Sequence, residues 1–330
     1  MITRNDRQVS DRRAEKEAIE REIKGIRRAV LIVNTRSRRG AANWSEPKEQ
    51  LLQAGIVLDG VYPVRNAEKL PDIVRDEIAK GQKLIIVGGG DGTVSSVARH
   101  FRYRGVVLGL LPLGTANSFA RALGIPLDLQ GAIDVLVDGK VADVDLGTIN
   151  ESRFVNGSSI GMPSIVGRAT PHVLKKYFGR AAYALVAAGK FLRFKPFLCV
   201  VTASGVEHVF EALDVRIASG GYQGGVLVAR EAKPDDGTIM VQILTGPSKW
   251  TMAKEWGRRA FGAPFGAANT VCLKAPEFLI DTDPSQHVSV DGEVITQTPV
   301  HVAVARNALL LMTPNAFIDR DEATQRPSAS

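Results

Sequence analysis

Leu84-Ile85-Ile86-Val87-Gly88-Gly89-Gly90-Asp91-Gly92-Thr93-Val94 is the stretch on which the reading of this chain turns. Four apolar residues run straight into glycines and a single carboxylate, and Val94, Val97 and Ala98 then recur at helical spacing. The pattern predicts a buried strand over 84–87, a tight backbone turn and a helix to about Phe101. Glycines let main-chain N–H groups approach a ligand closely, and a helix N-terminus carries positive potential, so the natural guest is a phosphate. The stretch is not a Walker A loop, because no Gly-Lys-Ser/Thr follows, and its spacing is not that of a dinucleotide fingerprint. The bland alternative is an ordinary strand-to-helix turn.

On the N-terminal side, Ala29 to Val33 is a second apolar run, ending at the polar loop Asn34-Thr35-Arg36-Ser37-Arg38-Arg39-Gly40. Asn34, Ser37 and Gly40 then stand at a strand C-terminus, where open α/β sheets bind ligands. Helices are expected over about 44–54 and 70–80, with a strand over 56–62 between them. On the C-terminal side, the apolar run Val106 to Leu111 leads into Pro112-Leu113-Gly114-Thr115-Ala116-Asn117-Ser118, another strand–loop–helix with small and polar residues at its turn. Alternating strands and helices argue a parallel sheet, so the loops at 34–40, 88–93 and 112–118 would share one edge and form a three-sided cradle for a nucleoside triphosphate.

The texture changes after residue 140. Short strand-like runs follow at 141–146, 153–156, 198–203, 207–218, 225–228, 238–244, 271–274, 277–281, 287–290 and 300–304, with helices expected only at 172–193 and 250–261. That pattern suggests a largely antiparallel β domain. Residues 1–28 are dense in both charge signs. Ala14, Ala18, Ile19, Ile23 and Ile26 give a thin apolar stripe, read either as a helix over about 11–27 resting on an anionic membrane or as a solvated leading helix or frayed tail. The polar residues after 319 are expected to be disordered.

The 330 residues carry a net charge of +7 and two cysteines, Cys199 and Cys272, both in apolar runs. A disulfide framework is not expected. No apolar stretch reaches the roughly 18 residues of a membrane span, and no nucleic-acid motif stands out. The expected location is cytoplasmic, with peripheral contact at the inner membrane surface and an anionic partner.

Four motifs, in order, resemble the diacylglycerol kinase catalytic family, which includes bacterial soluble lipid kinases and is related to sphingosine and ceramide kinases. They are Gly89-Gly90-Asp91-Gly92-Thr93, the Leu111–Asn117 loop with Phe119 and Arg121, Asp235-Asp236-Gly237, and Asp291-Gly292-Glu293, and Asn156 to Gly161 also matches. The resemblance implies an N-terminal α/β nucleotide-binding domain (29–140) related to phosphofructokinases and NAD kinases. A C-terminal β-sandwich for the lipid (141–304) follows, and a strand near 305–318 returns to the first domain.

It also implies roles. ATP would contact Asn34, Ser37, Gly89, Gly90, Asp91, Gly92, Thr93, Val94, Ser95, Gly114, Thr115 and Asn117. Glu293 would be the base that deprotonates a lipid hydroxyl, with Asp291 positioning metal or hydroxyl. Asp91 would face Mg²⁺, and remains a rival base by analogy with sphingosine kinases. Alternatively, Asp91 organises its loop by accepting N–H bonds, Thr115 caps a helix, and Asp291-Gly292 is simply a hairpin turn. A structural Mg²⁺ would sit on the side chain of Asp236, or of the adjacent Asp235, and on the carbonyls of Lys233 and Thr238; the alternative is an exposed turn. The basic segment His172 to Phe197 would meet an anionic membrane, or present a wet face.

The chain departs from the family pattern at Ser95 and Ser96 (usually Asn and Glu), at Ser118 (often Asp), at Thr35 (often Pro) and around Pro63-Val64. The expected activity is transfer of the γ-phosphate of ATP to a lipid hydroxyl, diacylglycerol by default. Sphingosine, ceramide or phosphatidylglycerol are the alternative acceptors. An NAD kinase-like enzyme and a non-catalytic nucleotide- or lipid-binding regulator are the rival classes.

Overall fold

The computed structural model describes residues 4–37, 40, 44–161, 191, 194–227, 232–246, 248, 250–254 and 269–318. The basic segment 172–197 thus lies largely outside the described residues, as do 255–261 of the second expected helix and the tail after 318.

Helix α1 (Arg4–Ile26) leads into β1 (Arg28–Asn34), α2 (Ser45–Gln53), β2 (Val57–Val64), α3 (Leu70–Ala79), β3 (Leu84–Gly89), α4 (Asp91–Phe101), β4 (Val107–Pro112), α5 (Ser118–Ala122) and α6 (Leu129–Asp138). The strands lie in the order β2–β1–β3–β4, all parallel. Every residue of β3 and β4 is buried, as sheets covered by helices on both faces require. Their Ile, Val and Leu side chains build one core with α3, α4 and α6.

The second unit is antiparallel β: β5 (Lys140–Ile149), β6 (Ser152–Phe154), β7 (Gly157–Gly161), β8 (Phe197–Ala203), β9 (Val206–Ala218), β10 (Tyr222–Gln223), β11 (Val226–Leu227), β12 (Ile239–Thr245), β13 (Thr270–Ala275), β14 (Glu277–Asp283), β15 (His287–Val290) and β16 (Glu293–Gln297). Alternation is clean in β14, where Phe278, Ile280 and Thr282 point inward and Glu277, Leu279, Asp281 and Asp283 outward. The inner faces form a second core around Phe154, Ile160, Val215, Val241 and Phe278. The architecture is an α/β unit followed by a β-sandwich.

One long strand, β17 (Val300–Thr313), joins the units. Its first half pairs antiparallel with β14, and Leu310 and Leu311 pair parallel with Val107 and Leu108 of β4. Strand β5 accompanies it along most of its length.

Three elements differ from expectation. The strand at 84 does not stop at Val87: Gly88 and Gly89 stay in the ladder, opposite Leu111 and Pro112. A Cβ on Gly88 would lie 2.9 Å from Leu113 Cδ1, and one on Gly89 2.5 Å from Thr93 Cβ. Both glycines are there for packing, the turn shrinks to Gly90, and α4 opens at Asp91. Helix α6 is unanticipated, although Asp128 caps it by accepting from Gly131 N at 2.8 Å. The third is the buried side of α1, which takes in Ile19 and Ile23 of the expected stripe but not its alanines. Ala14 and Ala18 are exposed, whereas Lys16 and Ile23 are buried. Arg12 Nη2 and Lys16 Nζ reach Asp143 of β5 at 2.6 and 3.2 Å. Glu20 Oε2 accepts from Val141 N at 3.0 Å. Over residues 11–26 the helix is strapped to the sheet by ion pairs rather than solvated all round.

Candidate active site

Strands β1, β3 and β4 are parallel and in register at Val33, Gly88 and Leu111, so their following loops leave the same sheet edge. Direct bonds hold the loops together. Asn34 Nδ2 donates to Thr93 Oγ1 at 2.8 Å, and Leu113 N donates to Gly89 O at 2.9 Å. Gly90 and Gly114 meet backbone to backbone: a Cβ on Gly114 would stand 2.4 Å from Gly90 Cα.

Many expected contact residues spend their polar groups on shaping this cradle. Ser37 Oγ donates to Asn34 O at 2.8 Å and accepts from Gly40 N at 3.2 Å. Asn34 Oδ1 accepts from Arg36 N. Asn117, buried with φ of 48°, accepts from Gly114 N and donates to Pro112 O and Gly114 O. The N–H groups of Thr93 and Val94 both go to Gly90 O. Gly89 and Val94 are buried. These residues organise the loops rather than offer free donors.

What stays open is narrower. The N–H groups of Asp91 and Gly92, in the first turn of α4, have no partner among the described residues, as the start of a helix leaves them. Thr115 is exposed, and its hydroxyl makes no bond among the described residues, so it is not a helix cap. Together these offer donors at a positive helix end, chemistry suited to phosphate oxygens.

Asp91 and Asp291 then join the two units. Asp91 Oδ1 accepts from Phe119 N at 3.1 Å and from Asn156 Nδ2 at 3.3 Å. It organises its loop, and its other oxygen accepts no bond among the described residues. That leaves one carboxylate oxygen for a cation arriving with a nucleotide. Asp291 Oδ2 accepts from Ser95 Oγ at 2.6 Å and from Val155 N at 3.1 Å, and its Oδ1 from Asn156 N at 3.1 Å and Gly157 N at 3.2 Å. Burial pushes its carboxyl above the usual range, while the hydroxyl and the three N–H groups pull the other way. With four donors on its two oxygens, Asp291 is a clasp between α4 and the β unit. It does not fit the role of a metal ligand.

The same clasp explains Ser95: its hydroxyl meets a carboxylate contributed from 196 residues further along the chain. It also seats the turn of the β15–β16 hairpin, where Asp291 and Gly292 both have positive φ (45° and 94°). Glu293 opens β16 just past this turn, exposed, its carboxylate with no bonded partner among the described residues. Ser118 is explained in the same way, since its Oγ accepts from Gly225 N at 2.8 Å and ties the 222–227 hairpin to the second loop.

Two residues missing from the expected contact set emerge here. Asn156 bridges both aspartates, and Gly225 packs on Ala116, where a Cβ would come within 3.2 Å of Ala116 Cα. The Asn156–Gly161 match hinted at the first. Only the Gly224-Gly225 pair hinted at the second.

The turn at 233–238 does not fit the implied structural Mg²⁺. Asp236 Oδ1 accepts from Thr238 N (3.0 Å) and Thr238 Oγ1 (2.6 Å), and its Oδ2 lies 2.8 Å from Lys274 Nζ. Asp235 is buried. No group of three or more His, Cys, Asp or Glu residues is placed to hold a metal among the described residues. No helix among them is long and apolar enough to cross a membrane.

Comparison with known proteins agrees with this layout. Residues 28–149 match the diacylglycerol kinase catalytic domain. The chain belongs to the diacylglycerol kinase catalytic-domain family. As a member it is a kinase, and α1 lies outside the matched catalytic domain. Residues 157–313 match the YegS C-terminal NAD kinase beta sandwich-like domain. A Pseudomonas aeruginosa protein named "probable lipid kinase YegS-like" is 33% identical over 245 residues, covering 73% of this chain and 80% of that one. A Pseudomonas putida protein of the same name is 31% identical over 267 residues, covering 80% and 88%. A crystal structure of a diacylglycerol kinase from Bacillus anthracis shares the fold, with a TM-score of 0.69, 21% identity, and coverage of 88% of this chain and 98% of that one.

Proposed function

We propose that this kinase transfers the γ-phosphate of ATP to the hydroxyl of a membrane lipid, with diacylglycerol the acceptor. The observation that carries the reading is the Ser95–Asp291 clasp, which fixes the Glu293 hairpin of the β unit onto the helix whose first turn offers N–H groups to phosphate. The names of the relatives favour a lipid acceptor.

In this account the α/β unit holds ATP by the N–H groups of Asp91 and Gly92 and by Thr115, and the β-sandwich presents the lipid. The lipid oxygen attacks the γ-phosphorus, the bond to the β–γ bridging oxygen breaks, and ADP leaves. Glu293 takes the proton from the lipid hydroxyl. Phosphoryl transfer rests mainly on positioning and charge neutralisation, which the rigid joining of the two units serves. Mg²⁺ accompanying ATP would offset phosphate charge, with the unbonded oxygen of Asp91 left to hold it. The net charge of +7 supports peripheral contact with an anionic membrane.

The test is incubation with γ-labelled ATP, Mg²⁺ and a panel of micellar acceptors: diacylglycerol, sphingosine, ceramide, phosphatidylglycerol and, separately, NAD. Label in diacylglycerol is the expected result. Label in another lipid reassigns the acceptor, label in NAD alone replaces the lipid reading, and ATP binding without transfer points to a regulator.

A further inference from the structure

The turn Pro234–Thr238 sits where the two units join, and the carboxylate of its Asp236 is already met by a cation of the chain itself. Asp145 of β5 grips it from one side: its N donates to Pro234 O at 2.7 Å, and its Oδ2 accepts from Gly237 N at 2.8 Å. The other oxygen of Asp145 accepts from Asn307 N at 2.7 Å, so the turn is tied to the crossing strand β17. Arg306 Nη2 donates to Gly237 O at 3.3 Å. On the far side, Asp236 gives Oδ1 to Thr238. Its buried Oδ2 accepts no well-directed hydrogen bond and lies 2.8 Å from the ammonium of Lys274. Lys274 is held in place by β13, directly opposite Met240 of β12, the strand that continues the turn.

A divalent ion needs oxygen ligands and a net negative site. Here the Asp236 oxygen that Thr238 leaves over faces an ammonium, and a carbonyl of the same turn faces a guanidinium. An incoming Mg²⁺ or Ca²⁺ would meet the ammonium at close range and would have to expel it.

We infer that Lys274 is the built-in cation of this turn, taking the place of a divalent metal and making the junction between the units independent of metal. The ammonium supplies one positive charge at 2.8 Å in place of two charges and a coordination shell. The orphaned Asp236 oxygen is answered by charge rather than by a ligand bond. This stands apart from the proposed phosphoryl transfer, and its test uses no substrate.

The experiment is scanning calorimetry of the full chain without nucleotide, in EDTA, in millimolar Mg²⁺ and in millimolar Ca²⁺. Wild type and Asp236→Asn are compared, so that cation binding near Asp91 cancels. The expected result is the same cation response in both. A larger rise in Tm for wild type than for Asp236→Asn overturns the inference. In Lys274→Met the ammonium is gone and its hydrocarbon stem kept. This variant is expected to melt roughly 2–4 °C lower in EDTA and to regain the loss in Mg²⁺ or Ca²⁺, with the regain absent from Lys274→Met/Asp236→Asn. A Lys274→Met protein that melts lower but ignores both cations also overturns it. If that variant does not fold, the comparison of wild type with Asp236→Asn decides alone.

Discussion

Gly114→Ala tests the convergence of the two loops proposed to hold the phosphates of ATP. The new Cβ would lie 2.4 Å from Gly90 Cα and 2.7 Å from Asn117 Oδ1. Carbon atoms settle at about 3.5–4.0 Å, so the two backbones must part by roughly 1 Å. Gly90 cannot yield freely, because its carbonyl accepts from Thr93 N and Val94 N at 2.9 and 3.1 Å. Overpacking of this kind costs about 1–3 kcal/mol, and Tm should fall at roughly 2–4 °C per kcal/mol. A shift of about 1 Å also breaks a hydrogen bond set for about 2.9 Å. Losing one bond to a charged phosphate costs about 1.5–3 kcal/mol, so ATP should bind roughly 10- to 150-fold more weakly. Titration calorimetry with ATP and a thermal melt read the two effects. Gly92→Ala is the control for stability, since its Cβ meets nothing within 4 Å and its Tm should not fall. A Gly114→Ala protein with wild-type Tm and wild-type ATP affinity would refute the claim that the loops meet where the phosphates bind.

The clasp at Asp291 makes two further predictions. Ser95→Ala removes a hydroxyl bond to a buried carboxylate and should cost about 1.5–3 kcal/mol in urea unfolding, with kcat falling more than ATP affinity; unchanged stability would mean the bond is not formed in solution. Because the folded carboxyl of Asp291 titrates above its ordinary value of about 3.9, the folded state holds that proton more tightly. Its contribution to stability is full below that ordinary value and is lost as pH rises through the raised one. The stability of wild type minus that of Asp291→Asn should therefore shrink as pH rises from acid toward neutral, and a difference that grows would contradict the burial argument. Cys199 is buried, its thiol pushed up to about 12 chiefly by burial, while Cys272 is exposed. A thiol reagent should label Cys272 in the native protein and reach Cys199 only after unfolding, and rapid native labelling of Cys199 would contradict its placement.

Much of this was legible in the sequence because it is local. The apolar runs 29–33, 84–87 and 106–111 declare buried strands, and parallel strands must send their following loops to one edge. The order of the four motifs then points to the family. What could not be read is what joins residues far apart. Nothing near Ser95 says that its hydroxyl meets Asp291, and nothing near Asp236 announces Lys274 on a different strand. Periodicity is only half right where burial is polar: Ile19 and Ile23 of the apolar stripe of α1 pack on the core, but Ala14 and Ala18 are exposed and Lys16 is buried against Asp143. At Gly88 and Gly89 composition suggested a loop, because the need for a missing Cβ against Leu113 and Thr93 is visible only in three dimensions. Helix α6 is readable from the Asp128 cap and the spacing of Ala132, Ile133 and Leu136, directly before the change of texture at residue 140.

The central claim is that two units cooperate, one holding ATP and the other supplying the base at Glu293. Glu293→Gln keeps the size and the exposed position of the side chain and removes only its ability to take a proton. Single-turnover transfer of label from ATP to micellar diacylglycerol, measured beside ATP affinity on the same preparation, tests it most directly. The account predicts a loss of roughly 10²- to 10⁴-fold in transfer with ATP affinity and Tm unchanged. Transfer at the wild-type rate would contradict it.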